Sequence, residues 1–361
     1  MGNFEKWDIA FRNQHLYAFN NNENGLLWLK VRAVCRGKQM KQFLTENGLV
    51  LTATKLAEQN VELFGLLEQQ PSAMAMLDRF LQMKNHEWYD SNKIDEKKLR
   101  EDLYKIQYYV WGGDQNNSLD KHLVSKYVKV ISDYDELVSK HGEIAENAWN
   151  YVQASWYNNW TSYLIEALFK RHRRVVSAVG EIKSVDFFID NYPIDLKVTY
   201  FPNQYMDEKL KVKLGQKELS WLRCKAKKLG VTVERSLTDS QQLYVLKEKL
   251  REQGLSEALD ILKAIRIEVV REAMMDDMDL MTWLYAKQGE MRFGAENRLF
   301  VILVDTTDME QSWKMKRAFS LIEPKVNDYL EHFNEHSLKN VDFVFKGNTY
   351  TSLADVLFIV R

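Results

Sequence analysis

The chain has 361 residues, with 50 Lys and Arg against 51 Asp and Glu, and a formal net charge of −1. This length allows a sizeable core and two or three domains. The balanced charge argues against indiscriminate nucleic-acid binding but is compatible with a local basic groove. No run of about 18 apolar residues occurs, so no membrane span is predicted.

The N-terminal sequence and the two cysteines bear on where the protein is expected to reside. The N-terminus lacks the basic and apolar regions of a secretory signal. Cys35 and Cys224 lie far apart and lack the spacing of a metal site. We therefore expect a cytoplasmic protein with reduced thiols.

Residues 1–142 are predicted to form a helical lobe, because apolar residues recur there at spacings of three and four. The predicted helices span about 26–35, 53–69, 72–84, 95–110, 119–131 and 134–142. Breaks are expected at Gly48, at Pro71 and over residues 111–117. No catalytic motif occurs in this lobe, which could serve DNA recognition, oligomerisation or partner binding.

A long aromatic-rich helix is predicted over residues 143–171, with its apolar side covering a sheet. Glu166 lies on this helix, either as a solvated glutamate or as part of a catalytic centre. The helix ends in a basic run that contains Arg171, Arg173 and Arg174. Cations suit a helix C-terminus, where the macrodipole is negative, and they are also candidates for DNA phosphate contact.

The stretch Val185–Thr199 predicts two strands joined by a tight turn. Asp190-Asn191 suits a two-residue hairpin corner, since both residue types tolerate left-handed conformations. A loop centred there pairs position 186 with position 195. Strand alternation then points Asp195 and Lys197 away from the apolar face of the second strand.

Two opposed carboxylates are destabilising unless a cation lies between them. A divalent metal is one explanation, because Mg²⁺ is held by one or two carboxylates with waters and phosphate oxygens. The alternative is a surface ion pair between Asp195 and Lys197, worth about 0.2–1 kcal/mol. That alternative would leave Asp186 without a partner.

Asp186, eight intervening residues and then Asp195-Leu196-Lys197 resembles the PD-(D/E)xK signature of restriction-endonuclease-like nucleases. Val185 stands where that signature has proline. Glu166 resembles the glutamate that the family commonly adds from the preceding helix.

The resemblance implies an α/β domain with a mixed central sheet flanked by helices. It implies Mg²⁺, with Mn²⁺ as a substitute, held by Asp186, Asp195 and the backbone carbonyl of Leu196. It also implies that Lys197 positions or deprotonates the attacking water, and that Glu166 binds a second metal or orients a water.

A first strand is predicted at about 174–182, and Glu181-Ile182-Lys183 beside it also spells a (D/E)xK tripeptide. We give this tripeptide less weight, because no acidic residue stands at a suitable distance before it, but Glu181 could still supply a carboxylate that supports the metal ligands. A basic helical stretch follows the hairpin. We name Lys213 and Lys217 there as candidate phosphate contacts and Gln216 as a polar residue near the site; a solvated charged face is the alternative.

Helices are predicted again over about 231–293, as an insertion. Residues 298–305 form a continuous apolar run, as expected of a buried strand. A helix over about 311–333 and strands at 341–345 and 355–360 complete the chain. Strand, helix and strand predict a right-handed parallel crossover, and the order of elements matches the one that the resemblance implies.

We therefore expect a helical lobe over residues 1–142 and a restriction-endonuclease-like catalytic domain over 143–361. The expected function is metal-dependent endonucleolytic cleavage of DNA, as a type II restriction-like enzyme of restriction-modification or a defence or repair nuclease of looser specificity. A nuclease-fold protein with a degraded site, binding nucleic acid or a partner, is the alternative. A helical scaffold with a structural α/β part is a third reading. Double-strand cleavage would require a homodimer or sequential nicking, and the sequence does not choose.

Overall fold

The computed structural model describes residues 2–20, 22–34, 37–109, 118–178, 182, 184–287 and 294–361. The predicted break at 111–117 lies outside the described residues. Cys35 and both charged members of the Glu181–Lys183 tripeptide also lie outside them. Within the described residues, no helix is long and apolar enough to cross a membrane.

The N-terminal part is helical, as predicted. Its helices are α1 (Asn3–Arg12), α2 (Glu23–Ala33), α3 (Gly37–Asn47), α4 (Leu56–Glu68), α5 (Ala73–Ser91), α6 (Glu96–Leu103), α7 (Leu119–Leu123) and α8 (Tyr134–Ser139). Helices α1 and α3 were not predicted. Helix α6 ends well before residue 110. There the buried Arg317 guanidinium donates hydrogen bonds to the carbonyls of Leu103 and Ile106 at 2.8 and 2.7 Å.

A six-stranded mixed sheet forms the centre of the α/β part, in the order β1-β2-β3-β4-β6-β5. Its strands are β1 (Val175–Ser177), β2 (Phe187–Ile189), β3 (Tyr192–Tyr200), β4 (Arg298–Val304), β5 (Lys339–Phe345) and β6 (Asn348–Val360). The first three strands pair antiparallel, and β3, β4 and β6 pair parallel. The prediction of a mixed α/β fold is confirmed.

The predicted parallel crossover from β4 to the next strand is wrong. Helix α15 (Phe319–His332) leads into β5, which is antiparallel to β6 and so runs opposite to β4. A tight corner with positive φ at Lys346 and Gly347 then returns the chain to β6. In β5 two alternate side chains are buried, those of Val341 and Phe343, and this pattern suits an antiparallel edge strand with one packed face.

Helices cover both faces of the sheet. Helix α9 (His141–Lys170) and α15 pack on the face that carries Phe187, Ile194 and Val301. The N-terminal helices cover Val185 and Phe188 on the opposite face. Further along that face, Phe300 joins the apolar cluster built by three of the helices between β3 and β4.

Five helices connect β3 to β4 in the described part of the chain. They are α10 (Asn203–Leu214), α11 (Glu218–Lys228), α12 (Asp239–Glu252), α13 (Glu257–Met275) and α14 (Met278–Lys287). The last three occupy the predicted insertion. Helices α10, α13 and α14 pack on the sheet, whereas α11 and α12 form a small core of their own with the start of α13.

Candidate functional site

The corner between β2 and β3 has the geometry predicted for it. Asp190 and Asn191 have positive φ values of 45° and 73°, as a two-residue hairpin turn requires. Phe187 lies opposite Ile194, so the predicted turn and the register of β2 with β3 are confirmed. The ladder ends at that pair, and the Asp186 amide donates to Ile194 instead, so the predicted pairing of positions 186 and 195 is not part of the ladder.

Asp186 is bonded to the backbone of β3. Its amide donates to the Ile194 carbonyl at 2.8 Å, and its Oδ2 accepts from the Leu196 amide at 2.8 Å. The N–H and C=O of one strand residue point to the same side, so the Leu196 carbonyl lies on the side of Asp186. The expectation that Asp186 would lack a partner beside an Asp195–Lys197 pair is wrong, since this amide is its partner.

Asp195 is a buried carboxylate between two cations. Only 5% of the residue is exposed; Oδ1 accepts from Lys197 Nζ at 2.7 Å and Oδ2 from Arg298 Nε at 3.3 Å. Burial raises the pKa of Asp195 to about 6, and the charge of Asp186 adds to this rise, while Lys197 and Arg298 oppose it. Burial also raises the pKa of Asp186, and the charge of Glu166 raises it further.

Lys197 and Glu166 form the accessible part of this group. The Lys197 side chain is 48% exposed although its ammonium is bonded to Asp195. Glu166 forms an ion pair with Lys170, one turn later on α9. Glu166 is close enough for its charge to act on Asp186. Asp186, Asp195 and Lys197 therefore act on one another, and Glu166 acts on Asp186. We call these four residues the carboxylate–lysine cluster (Glu166, Asp186, Asp195 and Lys197).

Arg298 is a member of this region that the sequence analysis missed. It opens β4, pairs in register with Asp195, and donates to Glu296 Oε2 at 2.9 Å. Its guanidinium lies 4.9 Å from the ring centre of the buried Tyr285. A charged residue at the start of an otherwise apolar buried strand was the available signal, since buried cations are nearly always paired.

A buried asparagine next to Arg298 joins the central strands. Asn297 Nδ2 donates to the Pro193 carbonyl of β3 at 3.0 Å, and its Oδ1 accepts from the Leu353 amide of β6 at 3.2 Å. Asn20, from the N-terminal helical part, donates to the same Oδ1 at 3.1 Å. The N-terminal part thus contributes directly to the packing beside Asp195.

Two arginines of the predicted phosphate-binding run are paired with carboxylates. Arg171 bonds Glu96 at 2.9 Å and lies 4.2 Å from the ring centre of Tyr89. Arg173 bonds Glu331 at 2.6 Å, with 76% of its side chain exposed. A phosphate would have to compete with these acidic partners.

Arg174 links the hairpin corner to the end of α15. It forms an ion pair with Asp190 at the corner. It also donates to the carbonyls of Leu330 and Phe333 at 2.8 and 2.7 Å, at the end of α15. The guanidinium therefore satisfies the last carbonyls of a helix, as cations commonly do at that terminus.

The candidates after β3 lie on another set of helices. Lys213 of α10 bonds Glu268 and Glu272 of α13 at 3.0 and 2.6 Å. Gln216 and Lys217 are exposed in the turn between α10 and α11. These contacts join Lys213 to the insertion and not to the carboxylate–lysine cluster.

The donor atoms of the cluster suit a hard divalent cation. In the described part of the chain, no three His, Cys, Asp or Glu side chains converge to hold a metal. The set implied by the resemblance is Asp186, Asp195 and the Leu196 carbonyl, with Glu166 to bind a second metal or to orient a water. Burial raises the pKa values of Asp186 and Asp195, and the charges of Glu166 and of Asp186, respectively, raise them further. Carboxylates in this condition gain from a bound cation.

Comparisons with known proteins add no assignment. A scan against protein-family models, a search of curated proteins and a search of solved structures each give no match for this chain. The case for a nuclease therefore depends on the residues and geometry described above.

Proposed function

We propose that the chain is a metal-dependent endonuclease that hydrolyses phosphodiester bonds in DNA, on a restriction-endonuclease-like core. The observation that carries the proposal is the meeting of Asp186, Asp195 and Lys197 where β3 begins to pair with β4. The order of elements supports it, since a long helix, three antiparallel strands, intervening helices and a parallel strand follow one another as the resemblance implies.

Asp186, Asp195 and the Leu196 carbonyl would hold Mg²⁺ or Mn²⁺. Such a metal, when bound, lowers the pKa of a water ligand and neutralises charge that grows on the phosphate. Lys197 carries its own positive charge to the exposed side of Asp195, where it can hold a water by hydrogen bonding and stabilise a developing oxyanion. The Leu196 amide fixes Asp186 Oδ2, so Oδ1 is the oxygen that would bind the metal.

A second candidate is a nuclease-fold protein that binds nucleic acid or a partner without cutting. The observation that favours it is the pairing of both Asp195 oxygens, one with Lys197 and the other with Arg298. Cations already inside the site reduce the need for a metal.

The deciding experiment is incubation with a mixture of duplex DNA, single-stranded DNA and RNA in Mg²⁺ or Mn²⁺, followed by sequencing of the ends. The wild type should cut DNA, and Asp195→Ala and Lys197→Ala should each reduce the rate at least 100-fold, as expected for loss of a charge-stabilising group. Asp342→Ala, on the exposed side of edge strand β5, is the matched control.

The sequences at the ends of the cleaved DNA distinguish the kinds of nuclease. Ends at one sequence indicate a site-specific restriction-like enzyme, and ends at many sequences indicate a nuclease of looser specificity. Paired breaks with a dimer in sedimentation would support a homodimer acting on both strands. Nucleic-acid binding with no cleavage under any condition would favour the second candidate.

A further inference from the structure

Four aromatic rings lie together where α5 meets α9. We call them the aromatic platform: Trp88 and Tyr89 of α5, and Trp160 and Tyr163 of α9. Ring centres are 4.8 Å apart for Trp88 and Tyr89, 5.7 Å for Trp88 and Tyr163, and 5.5 Å for Trp160 and Tyr163. Trp88 is 49% exposed, so the platform reaches the surface and is not simply core.

Hydrogen bonds and a cation–π contact hold the tyrosines of the platform in place. The Tyr163 hydroxyl donates to Glu96 and accepts from Asn92, each at 3.3 Å. The Arg171 guanidinium lies 4.2 Å from the ring centre of Tyr89. Rings that are already fixed lose little conformational entropy when a flat ligand stacks on them.

One member of the carboxylate–lysine cluster, Glu166, lies beside the platform. Glu166 follows Tyr163 by three residues, on the same side of α9 and about 4.5 Å along its axis. The charge of Glu166 raises the pKa of Tyr89 and that of Asp186. Glu166 therefore lies near both Tyr89 of the platform and Asp186, and a ligand chain could pass from the platform towards Asp186.

The chemistry of the platform selects unpaired bases. Every base has a π-face that can stack on an exposed indole, whereas the bases of a duplex stack on one another. Lys170 and Arg171 stand at its border, bonded to Glu166 and Glu96, and they offer cations for a phosphate that displaces those carboxylates.

We propose that the aromatic platform stacks an unpaired base next to the scissile phosphate, so that the substrate is single-stranded DNA or a locally opened strand. The choice of DNA rests on the proposed function, but the stacking itself requires only the four rings. An alternative occupant of the same surface is a second copy of the chain, and the experiment below separates the two.

The test measures binding of a fluorescein-labelled single-stranded oligonucleotide in EDTA, where cleavage is blocked. Trp88→Ala and Trp160→Ala should each weaken binding by roughly 5- to 150-fold, the range for losing one stacked base. The matched control is Trp149→Ala, on the same helix about 16 Å from Trp160. Trp149 is 61% exposed, and its loss should leave binding unchanged.

Three results would overturn the platform. The first is equal binding by Trp88→Ala, Trp160→Ala and the wild type. The second is an equal loss in Trp149→Ala. The third is a wild-type dimer in sedimentation that Trp88→Ala converts to a monomer, which would assign the surface to a second copy.

A cleavage assay in Mg²⁺ with single-stranded and duplex substrates keeps the two proposals separable. If cleavage requires Asp195 but does not change in Trp88→Ala, the nuclease proposal stands and the platform proposal is wrong. Binding that requires Trp88 without any cleavage retains the platform and removes the nuclease. If Trp88→Ala reduces the rate at which single strands are cut and Trp149→Ala does not, both the nuclease and the platform are supported.

Discussion

The part of strand β3 that pairs with β4, Asp195–Tyr200, buries charge in opposite ways at its two ends. At its start Asp195 lies between Lys197 and Arg298, and burial raises its pKa to about 6. Beyond its end Lys316 is buried beside the ring of Tyr200, 5.4 Å from the ring centre, and its ammonium donates to the Asn158 amide oxygen at 3.0 Å. Burial alone lowers the pKa of Lys316 to about 8.

The difference shows which buried charge is suited to chemistry. Where β3 begins to pair with β4, two acids and two cations converge, and the Lys197 side chain reaches solvent. At the end, a single cation of which 7% is exposed meets neutral groups. A shifted pKa alone therefore does not identify a site; convergence of opposite charges with access from solvent is the stronger sign.

The largest expected effect is on cleavage. Lys197→Met should reduce the rate at least 100-fold, because its charge stands beside the reacting groups, whereas Lys316→Met should retain activity within a factor of about two. Initial rates on the substrate found above measure both variants. Equal losses in the two would remove the distinction between the two ends of β3.

Arg298→Met should have the largest effect on folding. Removing one partner of a buried pair leaves Asp195 and Glu296 short of a cation, and this costs about 3–5 kcal/mol. Urea unfolding at neutral pH measures it. Arg173→Met is the control, since that arginine forms an exposed pair worth at most about 1 kcal/mol; a similar loss in both would show that Arg298 does not support Asp195.

Lys316→Met should stabilise the fold at neutral pH by up to about 3 kcal/mol, which corresponds to the lowering of its pKa from 10.5 to about 8. The folded state disfavours the charge, so the full cost is present below pH 8 and disappears as pH rises towards 10.5. The gain should therefore shrink between pH 7 and pH 10 in urea unfolding. Lys314→Met, two residues earlier, is the control.

Asp195→Asn should show the opposite dependence on pH. The carboxyl has a raised pKa in the folded state, so its cost is present above pH 6 and disappears as pH falls from about 6 to 3.8. Relative to wild type, the variant should gain stability between pH 4 and pH 7, by at most about 3 kcal/mol. A pH-independent difference would contradict the burial of this charge.

The smallest expected change in folding is for Asp186→Asn. The new amide oxygen can still accept from the Leu196 N–H, so the free energy of unfolding should change by less than about 1 kcal/mol while cleavage is lost. Asp186→Leu removes the acceptor and should cost about 1–3 kcal/mol. Thermal unfolding and cleavage rates of the pair show whether the carboxylate serves the reaction or only the fold.

Local patterns accounted for much of the fold. Alternation and the Asp190-Asn191 corner predicted the hairpin and its register, since turn type and strand period depend on neighbouring residues. The long helix before it and the buried strand β4 were predicted by periodicity and by a continuous apolar run. The direction of β5 was mispredicted, because a strand–helix–strand pattern does not specify which later strand will be inserted between its two strands.

By itself, the sequence determined that Asp186, Asp195 and Lys197 come together, because all three belong to one hairpin whose corner and alternation are local properties. Only the tertiary structure decided which cations these carboxylates meet and which arginines are already paired. Arg298 reaches Asp195, and Arg171 and Arg173 reach Glu96 and Glu331, across long stretches of chain. Such pairings depend on how distant elements pack, and residue spacing along the chain carries no information about them.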